Sequence, residues 1–253
     1  MRSKSTQQRP CMQRTELPDW YPSSPFILTD YRAPTNVAKA AWSIFEWHTE
    51  TLNIHTHLWA GIYFLYLWFT QPPYANTISL YICLLFQHIG PICMTLGSAF
   101  GHTFYCIDAR WNTFAWKIDF TGIIVVNLTH HLLDTYILAK RLEIEPLPLL
   151  ILDMCFAAYC IRDIWAGRKF WLIGYTLITC FPLTATNYFL CTECDAPWYS
   201  LLCSLYIGAA AIFFFGQVPE RFWRTSITGH TIHHLLIVGS VIAGTAGGKL
   251  LKE

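Results

Sequence analysis

The sequence carries little charge for its length. Asp, Glu, Lys and Arg make up 13% of its 253 residues, whereas about 25% is usual for a soluble domain. Hydrophobic residues make up 54% and fall in long blocks rather than in short strands or narrow helical stripes. This composition excludes an ordinary soluble globule and predicts an all-α integral membrane protein that crosses the bilayer several times.

Other absences narrow the function. Lys and Arg form no cluster and the formal net charge is +1, so no nucleic-acid partner is predicted. The N-terminal region is polar and Pro-rich without an apolar core, which predicts no cleavable signal peptide. No inverted repeat or chain of ionisable residues crosses the full bilayer, which disfavours a transporter or channel. Cys191 and Cys194 have no second C-x-x-C pair to complete a zinc site and suggest only a local disulfide.

Seven apolar segments of about 20 residues are present, the length needed to cross the hydrocarbon core. Turn-forming residues separate them. The predicted spans are residues 53–70, 77–100, 114–138, 147–165, 170–190, 198–215 and 226–247. The predicted organisation is a cytosolic tail (1–35), a juxtamembrane helix (36–52), a seven-helix membrane domain (53–248) and a short outer tail (249–253).

The placement of Lys and Arg predicts the orientation. If the N-terminus is cytosolic, all but four of the 17 Lys and Arg residues flank the spans on the cytosolic side. The four on the outer side are Lys140, Arg141, Lys249 and Lys252. Because cytoplasmic loops carry an excess of Lys and Arg, the sequence predicts a cytosolic N-terminus and an outer C-terminus.

Three histidines fall in one layer of this topology. His102 ends the second span, whereas His230 and His234 begin the seventh, so all three are predicted at the cytosolic end. The H-x-x-x-H spacing places His230 and His234 on one helical face. Three imidazoles are a natural zinc ligand set with one coordination position open. Asp119, in the first turns of the third span, is predicted at the same depth.

Two further polar patterns each admit a structural explanation. Glu50, Asn53 and His57 share a helical face and need partners inside the bundle, although Glu50 could simply complement the positive end of its helix. Ser98 lies one turn before His102 on the same face, although its hydroxyl could bond back to its own helix.

The combination of these motifs resembles the progestin and adipoQ receptor family, which includes the adiponectin receptors and is related to the haemolysin III proteins. The resemblance covers about residues 25–240 and favours the adiponectin-receptor or yeast and plant branch over the bacterial one. The matching motifs are Leu28-Thr-Asp-Tyr31-Arg32, Glu50-x-x-Asn53-x-x-x-His57, Ser98-x-x-x-His102, Lys117-Ile-Asp119, Pro219-Glu220-Arg221 and His230-x-x-x-His234.

The resemblance implies a seven-helix bundle with a cytosolic N-terminus and a zinc ion held by His102, His230 and His234. It places Asp119 near water at the metal and Ser98 close by. Activities attached to the family are ceramidase-like amide hydrolysis and hormone or lipid sensing. This sequence departs from the family in its short N-terminal tail and in the small residues that end its last span.

Two functions follow as expectations. The first is a zinc-dependent amidase for a ceramide-like membrane lipid, under the control of an extracellular protein or steroid ligand. Asp119 would orient water or take its proton, Ser98 would hydrogen-bond the substrate carbonyl or oxyanion, and the Glu50 face would brace the helices. The alternative is a non-catalytic seven-helix hormone or steroid receptor with a structural zinc. The plasma membrane and the endoplasmic reticulum both fit the predicted spans.

Overall fold

The computed structural model describes residues 11–168, 196–223 and 227–248. These residues contain seven α-helices and one two-stranded sheet. The predicted fifth span (170–190), Cys191, Cys194 and the outer tail lie outside the described residues. The helices are α1 (Val37–Trp42), α2 (Thr51–Thr70), α3 (Ile78–Phe104), α4 (Ala109–Arg141), α5 (Pro146–Trp165), α6 (Ala196–Gly216) and α7 (Gly229–Gly248).

Each predicted span within the described residues corresponds to one helix, from α2 to α7. Among the described residues, α3 and α4 are long and apolar enough to cross a membrane, and α6 contains a shorter apolar stretch, Leu201–Gly216. The helix ends differ from the predicted boundaries. Helix α3 continues to Phe104, which places His102 inside its last turn, and α4 begins five residues before the predicted start at residue 114.

Capping residues explain these boundaries better than the extent of the apolar runs. Asp108 accepts hydrogen bonds from the backbone N–H groups of Arg110 and Trp111, both at 2.8 Å, and so begins α4 before its apolar segment. Thr228 accepts a hydrogen bond from the N–H of Thr231 at 3.1 Å, so α7 begins at Gly229 rather than at residue 226. The ends of a hydrophobic run therefore misjudge the helix ends by several residues.

Close packing of α3 against α4 fixes the layer that holds the candidate site. A Cβ at Gly122 would lie 2.8 Å from the carbonyl oxygen of Cys93, and one at Gly101 would lie 3.1 Å from the Cβ of Asp119. A side chain at Gly122 would therefore collide with the backbone of α3, and one at Gly101 would push Asp119 aside; small residues at such contacts are typical of helix pairs in membranes. Helix α7 in turn contacts α2 and α3. The start of α2, the end of α3, the first turns of α4 and the start of α7 therefore meet at one end of the bundle, which we call the metal end.

Residues 11–45 fold onto the metal end and are called the N-terminal cap. Strand β1 (Cys11–Met12) pairs antiparallel with strand β2 (Tyr31–Arg32). Helix α1 and a 3-10 turn over Ser43–Phe45 follow, so only a short part of the predicted juxtamembrane helix is α-helical. Aromatic side chains of the cap pack with residues at the α3–α4 connection in one buried cluster.

Candidate metal centre

Three histidine side chains from two helices converge at the metal end. Each of His102, His230 and His234 offers one ring nitrogen, and these atoms all lie within 4.8 Å of one another. The ring centroids are 5.0 Å apart for His102 and His230, 4.8 Å for His102 and His234, and 4.7 Å for His230 and His234. His102 and His234 are buried and His230 is half-buried. The three histidines that the H-x-x-x-H spacing and the predicted topology placed together therefore converge and could hold a metal ion.

The hydrogen bonds of His102 fit metal binding. Its Nδ1 donates to Oε2 of Glu50 at 2.7 Å, which leaves the lone pair on Nε2. Nε2 is buried and has no hydrogen-bond partner among the described residues. A buried polar atom without a partner is costly, and a metal ion at the centre of the three rings would remove that cost. The ring nitrogens of the three histidines are therefore chemically suited to bind a metal ion.

Glu50 does not cap its own helix. It stands at the N-cap of α2, but its side chain accepts no capping hydrogen bond. The same carboxylate oxygen instead accepts the bond from His102 and one from Nδ2 of Asn53, at 2.8 Å. A carboxylate on the outer nitrogen of a ligating imidazole fixes the tautomer and orients the ring. The simpler explanation, in which Glu50 only complements the start of its helix, does not account for these contacts.

Asn53 and His57, on the same face of α2 as Glu50, contact α7. Oδ1 of Asn53 accepts a hydrogen bond from Thr231 at 2.8 Å, and its carbonyl oxygen faces Nδ1 of His234 at 3.2 Å. The ring of His57 stacks on that of His234, with centroids 3.9 Å apart and planes 12° apart. With Nδ1 of His234 facing a carbonyl, Nε2 is the nitrogen left for a metal. The Glu50, Asn53 and His57 face thus contacts both helices that carry the histidines.

Asp119 and Ser98 lie beside the histidines but outside the converging group. Both side chains are buried, and Ser98 lies beside the Asp119 carboxylate. Among the described residues, the group within 4.8 Å contains the three histidines and not Asp119. The described residues therefore offer three nearby ligands rather than the four typical of a structural zinc site.

Comparison with known proteins assigns the family. A profile described as haemolysin-III related matches residues 45–244, most of the chain. The chain belongs to this family. The relatives of this family member include Heptahelical transmembrane protein 3 of Arabidopsis thaliana, which is 22% identical over 93% of the chain and 85% of the relative. Adiponectin receptor protein of Drosophila melanogaster is 26% identical over 88% of the chain and 55% of its own length. The predicted membership of the progestin and adipoQ receptor group is thus confirmed.

The chain is shorter than several of these relatives. Heptahelical transmembrane protein 1 of Arabidopsis thaliana is 29% identical over 50% of the chain, but that alignment covers only 41% of the relative. What the longer proteins do as wholes is therefore a proposal for this chain. The relatives in this family are named as transmembrane proteins, and α3 and α4 are apolar enough to cross a membrane. The chain is therefore a helical integral membrane protein.

Two residues of the site were not predicted from the sequence. Arg32 of the N-terminal cap is buried and donates hydrogen bonds at the end of α3, beside His102. Trp116 of α4 packs the edge of its ring against His102, with centroids 5.2 Å apart. Arg32 lies in a motif of the family resemblance, and a single Arg in a chain with little charge was a usable signal. The position of Trp116, one turn before Asp119, was another.

His48 shows how this family member uses a histidine for structure alone. It lies just before α2, where its Nδ1 accepts the N–H of Glu50 at 3.1 Å and its Nε2 donates to the carbonyl of Ser43 at 3.0 Å. Burial, followed by the nearby Arg32 charge, lowers the pKa of His48 to about 4. The ring is therefore neutral near pH 7 and holds the backbone of Glu50.

Proposed function

We propose that this chain is an adiponectin receptor-like membrane hydrolase that cleaves a ceramide-like lipid amide, with a zinc ion held by His102, His230 and His234. The observation that carries the proposal is the buried Nε2 of His102, which has no hydrogen-bond partner and lies next to two histidines of α7. Three histidines leave a coordination position open, as in catalytic zinc sites. A zinc ion bound there would supply Lewis-acid activation of water and of the substrate carbonyl.

Asp119 is the proposed acid–base residue. Its carboxylate would accept a proton from the attacking water and deliver it to the amide nitrogen as the C–N bond breaks. The products are a carboxylic acid and an amine. The support for this role is its burial beside the turn of α3 that carries His102, at the close approach of Gly101.

Ser98 is proposed to hydrogen-bond the substrate carbonyl or the developing oxyanion. The support for this role is its burial one turn before His102, beside the Asp119 carboxylate. A lipid amide would reach the site from the bilayer, with its polar group at the depth of the histidines.

The proposed orientation has a cytosolic N-terminus, so the metal end faces the cytosol. The distribution of Lys and Arg supports it. An extracellular protein or steroid would then act on the opposite end of the bundle. In a variant whose ten native cysteines are replaced, a single cysteine is introduced at residue 14 or at residue 140 and labelled with a membrane-impermeant reagent in intact cells. Only the cysteine at residue 140 is expected to react.

The function is tested on the purified protein by measuring bound zinc and the release of fatty acid from ceramide. Asp119→Asn is expected to keep its zinc while turnover falls about 10²- to 10⁴-fold, the usual contribution of acid–base catalysis. Asp153→Asn, which changes a carboxylate in α5, is the matched control and is expected to keep turnover. Stoichiometric zinc without turnover on any lipid amide would reject the hydrolase and favour the non-catalytic receptor.

A further inference from the structure

Arg32 is a buried charged residue that binds the last carbonyl groups of α3. Its side chain comes from the N-terminal cap, and the residue is only 4% exposed. One guanidinium nitrogen donates to the carbonyl of Thr103 at 2.8 Å, and the other donates to the carbonyl of His102. The last carbonyls of a helix have no partner within it and carry the negative end of its dipole. Arg32 therefore supplies both hydrogen bonds and charge to the turn that carries His102.

Arg32 and Glu50 hold the same residue from two sides. Glu50 accepts the hydrogen bond from the imidazole of His102, whereas Arg32 binds its backbone carbonyl. Arg32 and Glu50 are also connected through the cap. Arg32 donates a hydrogen bond to Oγ of Ser43 at 2.9 Å, and the carbonyl of Ser43 accepts one from Nε2 of His48. His48 in turn accepts the N–H of Glu50. Both the ring and the main chain of this ligand thus depend on residues outside α3.

Aromatic contacts form a second connection between the cap and His102. Tyr21 packs edge-on against Tyr105, with ring centroids 5.2 Å apart. Tyr105 stacks on Trp116 at 5.8 Å, and Trp116 meets His102 at 5.2 Å. Arg32 lies over the ring of Tyr105, 5.3 Å from its centroid. The guanidinium is therefore held between the packed rings and the end of α3. A shift of the cap would change the position of His102 through these contacts.

We propose that Arg32 is a positioning residue of the metal centre, through which the folded N-terminal cap sets the affinity of the site for its metal. The inference rests on the proposed function only in that His102 is taken as a metal ligand. Loss of the outer partners of metal ligands typically weakens metal affinity about 10- to 100-fold. Arg32 is expected to fall within that range although it touches no metal.

The test compares the full-length wild type with Arg32→Ala, Arg32→Lys and Arg14→Ala in detergent. Zinc affinity is measured by chelator competition, and the geometry of the site by the visible spectrum of bound Co²⁺. Arg32→Ala is expected to bind zinc at least about 10-fold more weakly and to alter the Co²⁺ bands. Arg32→Lys, which keeps a charge and part of the hydrogen bonding, should restore part of the loss. Arg14→Ala, an exposed change in the same cap, should match the wild type.

These readouts separate positioning from a general effect on folding. If Arg32 only stabilised the fold, the folded fraction of Arg32→Ala would keep wild-type affinity and the wild-type Co²⁺ spectrum, and that result overturns the inference. If Arg32→Ala does not fold, Ser43→Ala decides, because it removes one acceptor of Arg32 and is expected to weaken zinc binding several-fold. Wild-type affinity in Ser43→Ala and Arg32→Lys would then reject the inference. A wild type that binds no metal would instead reject the proposed function, and with it this inference.

Discussion

The two ends of the helix bundle use histidines in different ways. At the metal end, Nδ1 of His102 is bound by a carboxylate while Nε2 is left without a partner next to two more imidazoles. Toward the opposite end, His88 places its two ring nitrogens 2.9 Å from the carbonyls of Leu84 and Gln71. There, too, Nδ1 of His131 faces the Asp153 carboxylate at 3.8 Å. At the metal end three ring nitrogens converge, whereas these nitrogens of His88 and His131 face oxygen atoms.

The difference shows that a histidine inside a membrane protein is not by itself a sign of a metal. Intramembrane ionisable residues need partners, and backbone carbonyls or carboxylates are sufficient. What distinguishes the metal end is that three imidazole rings converge within ligand distance of one another. Within residues 11–168, 196–223 and 227–248, no other group of three His, Cys, Asp or Glu side chains converges in this way.

Removal of one histidine at each end should give the largest difference in zinc binding between the two ends. His102→Ala or His234→Ala is expected to lose stoichiometric zinc, with affinity falling more than about 100-fold, because removal of a ligand exceeds the loss of an outer partner. His88→Ala is expected to keep its zinc, since both of its nitrogens face carbonyls. Elemental analysis of the purified proteins measures the difference. Equal zinc contents in the His88 and His102 variants would show that the two ends are not distinct.

Substitution of Glu50 tests whether its carboxylate at the metal end affects zinc affinity or only helix packing. Glu50→Gln keeps an oxygen that can accept the Nδ1 hydrogen bond of His102 but removes the charge. We expect zinc affinity to fall about 10-fold, at the low end for an outer partner. Glu46→Gln, an exposed change just before α2, is the matched control. A chelator titration of both proteins decides the point, and equal affinities would reduce Glu50 to a packing role.

The sequence predicted the helices and histidines of this site better than the contacts that other segments make with them. The apolar runs predicted α3 and α7, and opposite chain directions placed His102 with His230 and His234, because helix length and side-chain spacing are local properties. Arg32 could not be placed in the same way. It is 70 residues from His102 and comes from a segment without helical periodicity, so only the folded cap brings its guanidinium to the end of α3.

The roles of Glu50 and Ser98 also depended on tertiary structure. From its position alone, Glu50 is equally suited to cap α2 or to reach another helix, and the choice is made by His102, which lies 52 residues away. Ser98 shares a helical face with His102, and the packing of α3 against α4 places it beside the Asp119 carboxylate. A residue with two possible partners is assigned by packing, which the spacing of residues along one helix does not contain.

His48 gives the smallest expected effect and sharpens the contrast within the metal end itself. Its two nitrogens are used by Glu50 and Ser43, and burial lowers its pKa to about 4 from 6.5 in the unfolded chain. The neutral ring is required, so its contribution is complete above pH 6.5 and is lost as the pH falls toward 4. Each pH unit in that window costs at most about 1.4 kcal/mol. In thermal unfolding between pH 7 and 5, His48→Gln should therefore show a shallower loss of stability than the wild type, because glutamine can accept and donate the same two bonds without titrating. Parallel pH profiles for the two proteins would show that His48 does not contribute to the acid sensitivity.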